Sequence, residues 1–67
     1  MMAIRAKVVD KKESTFTIQT PDNYVLTLHY SLPGDILIGD IVFVEGNIVN
    51  ATNFNVIRVL KGDTNDD

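Results

Sequence analysis

Apolar residues recur along the first half of this chain with a period of two. Ile4, Ala6 and Val8 alternate with Arg5, Lys7 and Val9. Phe16 and Ile18 alternate with Thr15, Thr17 and Gln19, and Leu26 and Leu28 with Val25, Thr27 and His29. Such alternation marks strands buried on one face only, here with the even-numbered residues inward. It predicts strands over residues 4–9, 15–19 and 24–30, in segments rich in the β-branched and aromatic residues that strands prefer. Between them lie a charged turn, 10–14, and a Thr-Pro-Asp-Asn turn, 20–23. In the second turn Pro21 fixes φ, and Asp22 and Asn23 can bond their own backbone.

The second half is less regular. Pro33-Gly34 breaks the pattern after the third strand. Asp35 is placed to cap at most a single helical turn before Gly39 stops it. A fourth strand follows over 41–49, apolar on both parities as far as Val44 and so expected to be covered on both faces. Gly46 inside it predicts a bulge or sharp bend. Residues 50–53 form a hairpin loop, and 54–60 a fifth strand. Its inward parity is undecided, because Phe54, Val56 and Leu60 compete with Ile57 and Val59. Residues 62–67 read as an acidic flexible tail on a single domain, 1–61.

Five short strands separated by turn signals, with no long helix, predict an all-β domain, a small barrel or sandwich. A five-stranded Greek-key barrel disposes of the open edges a flat sheet would leave. Composition narrows the function. The chain has 67 residues, no cysteine and one histidine. Disulfides, thiolate metal sites and cysteine nucleophiles are excluded, and no cofactor is expected. A chain this short buries only about 60% of its unfolded surface, so closure or oligomerisation is the expected remedy for a small core. No run approaches the roughly 20 apolar residues of a membrane span. Arg5 and Lys7 interrupt the N-terminal apolar run, which does not read as an export signal. A cytoplasmic protein with no membrane partner is the expectation. On that reading Asn50-Ala51-Thr52 is loop composition, not a glycosylation acceptor.

Two stretches carry a family resemblance. Gly39-Asp40-Ile41-Val42-Phe43-Val44-Glu45-Gly46, followed by Ile57-Arg58-Val59-Leu60-Lys61, is similar to the last hairpin of OB-fold proteins, with their G-D-x-V-x-V-x-G strand and I-R-V-x-K strand. The chain resembles that family over residues 3–61, most closely the small single-stranded nucleic-acid-binding domains related to replication protein A. The resemblance implies a five-stranded Greek-key OB-fold barrel with little or no helix, segment 33–38 replacing the usual one. It implies a ligand surface on the outer face of strands two and three. Bacterial translation initiation factor one is of similar length, but its basic segment is missing: residues 31–39 hold no Lys or Arg. A ribosome-binding role is therefore not expected. The motif is more specific for fold than for function, since OB-folds also mediate protein contacts.

The candidate chemistry is charge and stacking. All six basic residues, Arg5, Lys7, Lys11, Lys12, Arg58 and Lys61, fall in the first strand, the turn after it and the fifth strand. If strands one and five pair in a closed barrel, the six gather on one side. The net charge is -3. Asp63, Asp66 and Asp67 carry that imbalance, since the other six acids match the six bases. A neutral but polarised barrel can hold a phosphate backbone weakly and in a salt-sensitive way. His29 and Phe43, with Tyr24 or Tyr30 at strand ends, offer stacking platforms, and Thr15, Thr17, Gln19 and Thr27 offer hydrogen bonds. The expected partner is single-stranded DNA or RNA, with the chain a small subunit of a larger complex. The rival is an OB-type protein-interaction module or homo-oligomer without nucleic-acid affinity, docking through an outward apolar patch of Val25, Phe43 and Val56. No nucleophile pattern, phosphate loop or metal-ligand spacing is present, so an enzyme is not expected.

Overall fold

The computed structural model describes residues 1–51 and 53–62. These form five strands: β1 (Met2–Lys11), β2 (Thr15–Gln19), β3 (Val25–His29), β4 (Ile41–Asn50) and β5 (Asn53–Lys61). Among the described residues there is no helix. All pairings are antiparallel, in one sheet of order β3-β2-β1-β4-β5. The tail expected at 62–67 lies outside the described residues from Asp63 onward.

The order corrects one expectation. β1 pairs with β2 and β4, not with the fifth strand. The reason lies in the connection between β3 and β4. Its end docks on β1 before β4 begins: Gly39 N–H donates to Val8 O (2.7 Å) and Val8 N–H to Asp40 O (2.9 Å). Gly39 makes the docking turn with φ 101°, a conformation glycine adopts without steric cost. β4 thus starts already in register with β1, and β5 follows on its far side. β3 and β5 are the outer strands, and their Cα atoms approach within 8 Å.

The even parity expected of the first three strands is observed. Ala6, Val8, Phe16, Ile18 and Leu28 are buried, together with Val42, Val44 and Val59. A bulge between Val8 and Asp10 then shifts the frame of β1, so that Asp10 faces Thr17 and Lys11 faces Phe16. Val9 is the extra residue, and Lys11 turns to the inner side. β4 is covered on one face only, for Val42 and Val44 are inaccessible while Phe43 is 36% exposed. Its outer face has no second layer over it. In β5 the inward set is Phe54, Val56 and Val59, with Ile57 displaced by a second bulge opposite Glu45 and Gly46. Val56 packs against the core, so the outward patch expected of Val25, Phe43 and Val56 does not form.

Gly46 sits at that second bulge. A Cβ there would stand 2.0 Å from Asn55 O, which is why the strand carries glycine where the hairpin coils most sharply. The 31–40 segment has no helical turn. Ile36 N–H donates to Pro33 O (3.1 Å) and Asp40 N–H to Leu37 O (3.0 Å). The capping carboxylate is Asp40, accepting from Leu37 N–H at 2.9 Å, rather than Asp35. That bond, helped by the Lys61 charge, holds the Asp40 carboxyl below the usual aspartate range. Ile36, 2% exposed, fills the core from this segment.

Candidate nucleic-acid interface

Four of the expected phosphate ligands are engaged by the protein itself. Lys11 Nζ donates to Ile36 O (2.6 Å) and Pro33 O (3.2 Å), tying the 31–40 segment to β1. Lys12 pairs with Asp10 at 2.7 Å, and this bond is the main cause of the lowered Asp10 pKa. Arg58 Nε donates to Glu45, its cross-strand partner. Lys61 Nζ donates to Asp35 O (3.1 Å) and lies 3.5 Å from the Asp40 carboxylate.

Arg5 and Lys7 are different. Neither side chain has a hydrogen-bond or ion-pair partner among the described residues. They stand two residues apart on the outer face of β1, roughly 6.6 Å along the strand. Arg5 is opposite Phe43 on β4, and Lys7 lies between Gln19 on β2 and Ile41 on β4. A groove of about 240 Å³ runs beside them, lined also by Gln19, Thr20 and Asn23. The 20–23 turn forms its wall. Asn23, at φ 73°, takes the left-handed conformation that asparagine tolerates, and accepts a hydrogen bond from Gln19 Nε2 at 3.2 Å.

The expected stacking residues separate. Phe43 is exposed on the outer face, between Arg5 and Leu60 in register. His29 is exposed at the far end of β3, opposite Thr15. Tyr24 is 69% exposed beside the 20–23 turn. Tyr30 is half-buried and meets Phe16 edge-on, at 6.2 Å and 71°, so it serves the core. Thr15, Thr17, Gln19 and Thr27 share the outer face of β2 and β3, as their parity implied. The hydroxyls of Thr17 and Thr27 bond each other at 2.9 Å. The two groups meet through the cross-strand row Lys7–Gln19–Val25; the next row, Asp10–Thr17–Thr27, carries, instead of a cation, a carboxylate already paired with Lys12.

A second groove, of about 380 Å³, lies between β3 and the β4–β5 hairpin, where strand parity gives no sign of one. Met2, Leu26, His29, Ile48, Asn53 and Phe54 are among its lining. It exists because Leu26, inward by parity, has no strand laid over it and stays 37% exposed. The sequence signal for it is slight: Ile48 and Val49 before the hairpin loop and Phe54 after it, set among asparagines.

No family model matches the chain, and no curated protein or solved structure matches it significantly. Among the described residues no group of three or more His, Asp or Glu could hold a metal ion. Among the described residues there is no helix long and apolar enough to cross a membrane.

Proposed function

We propose that the chain is a small OB-type barrel that binds single-stranded nucleic acid across the outer face of β1 and β4. The barrel reading is supported by the strand order together with the approach of β3 to β5, since joining those two strands would close the ring. The binding reading rests on one observation: the Arg5 and Lys7 side chains have no partner among the described residues and share a groove, with Arg5 opposite the exposed Phe43. Arg5 and Lys7 take two phosphates. Phe43 stacks one base, a contact worth about 1–3 kcal/mol. The Gln19 and Asn23 amides reach base or sugar edges from the groove wall. Thr15, Thr17, Thr27 and His29 extend the surface toward β3.

Two phosphate contacts imply weak binding with a shallow salt dependence, a log–log slope of about −1.4 for a single strand. Affinity should therefore fall about sevenfold between roughly 50 and 200 mM salt. The test is fluorescence anisotropy with labelled DNA and RNA oligonucleotides. Arg5→Ala with Lys7→Ala should abolish the salt dependence, and Phe43→Ala should weaken binding without altering it. Absence of binding at low salt by folded protein would sink the reading.

The groove between β3 and the hairpin favours a second reading, a protein-interaction module. Ile48 is 63% and Met2 41% exposed at its rim, an apolar surface that a partner would cover. This reading expects a stable oligomer or hetero-complex that Ile48→Asp dissociates, and no oligonucleotide affinity. Sedimentation of the two proteins decides it.

A further inference from the structure

Resting on the nucleic-acid reading above, we propose that Glu45 attenuates the binding face: it neutralises Arg58, a third cation on the same outer face as Arg5 and Lys7 but two strands away on β5, and so limits the number of phosphates held. The shared face follows from the register. Arg5, Phe43 and Leu60 form one cross-strand row, and Ala3, Glu45 and Arg58 form the next row on the same outer face. Arg58 is thus diagonal to Phe43, a separation of roughly 7–8 Å that a long side chain spans. Its side chain is 62% exposed, whereas that of Glu45 is 19% exposed. The cation is the open member of the pair and the carboxylate the sheltered one.

The burial difference gives the pair its sense. Glu45 lies between a small neighbour, Ala3, and Arg58, and Arg58 is the only cation paired with it among the described residues. A phosphate reaching Arg58 meets the field of Glu45 as well, and the two charges cancel. The exposed pair adds little to stability, as such pairs generally do. Its main consequence is for ligands: the face presents two effective cations instead of three.

Glu45→Gln tests this, because glutamine keeps an oxygen for Arg58 Nε and removes only the charge. The experiment measures oligonucleotide anisotropy against salt for the wild type, E45Q and the double variant E45Q/R58Q. E45Q should bind more tightly and steepen the log–log slope by about 0.7, one further single-strand phosphate contact. Its advantage over the wild type should then shrink by about 2.6-fold between roughly 50 and 200 mM salt. The double variant, which exchanges one neutral pair for another, should return to wild-type affinity and slope. Wild-type binding that depends on Arg5 and Lys7, with an unchanged slope in E45Q, would overturn this proposal and leave the parent reading intact. A double variant that loses as much affinity as Arg5→Ala would also overturn it, by showing that Arg58 already holds a phosphate. A folded wild type that binds nothing overturns both.

Discussion

Gly46→Ala adds one methyl group at the bulge where the β5 backbone crowds Gly46. The new Cβ would lie 2.0 Å from Asn55 O and 2.9 Å from both Asn55 C and Phe54 Cε2. Ordinary contact begins at 3.4 Å, so the strands must part by about 1.4 Å at this point. The first obstacle is backbone, which no rotamer change relieves. Overpacking of this kind costs about 1–3 kcal/mol. Each hairpin hydrogen bond stretched beyond use adds about 1 kcal/mol. Roughly 3 kcal/mol is therefore the expected loss. A domain of this length has about 3–10 kcal/mol of stability in all. At about 4–8 °C per kcal/mol the melting temperature should fall by at least 12 °C. Circular dichroism melts of the variant and the wild type measure it. Gly34→Ala is the control, since nothing stands within 4 Å of its would-be Cβ. That change should be neutral or raise stability by about 0.4–1 kcal/mol through the unfolded chain. A Gly46→Ala melt within 3 °C of the control, on the scale just given, would refute the steric argument.

Other outcomes follow from the same contacts. Ile36→Ala empties a core position and should cost about 2–5 kcal/mol, read as a lower urea midpoint at unchanged m. Lys11→Met removes two hydrogen bonds to the 31–40 segment and should cost about 2 kcal/mol, while oligonucleotide affinity stays within about twofold of wild type. The Asp40 carboxyl is held below its unfolded pKa of about 3.9, so its contribution is complete above that value and is lost as pH falls through the folded one. Melts taken from about pH 5 down to pH 2 should therefore show a smaller decline for Asp40→Asn than for the wild type; equal declines would exclude the role.

How much of this was legible beforehand differs residue by residue. The faces of β1, β2 and β3 could be read because each strand is half-buried, so that period two leaves its mark on Ile4, Ala6, Phe16, Ile18 and Leu28. The bulge in β1 could not, since Val8-Val9 reads as apolar whichever valine is the extra one. The inward turn of Lys11 depends on that bulge and was equally hidden. Strand partners depend on where the 31–40 segment docks, and a pair of backbone hydrogen bonds at Val8 leaves no periodic trace. The engaged cations show the same limit. Charge and position along the chain were plain for Arg58 and Lys61, but Glu45 and the Asp35 carbonyl are partners only after folding. Ile36 sits in an Ile-Leu-Ile run in which no period distinguishes the buried member.

That isoleucine changes what kind of segment 31–40 is. A ten-residue segment without regular structure would ordinarily open and close by itself, on a timescale of its own. Here its side chain is sealed in the interior, and the amides of Ile36, Gly39 and Asp40 are bonded to Pro33, Val8 and Leu37. Withdrawing it would breach the core and detach the start of β4 from β1 together. The meander β1–β3 and the hairpin β4–β5 are thereby made one cooperative unit, and hydrogen exchange at those amides reports global unfolding rather than the breathing of a loop.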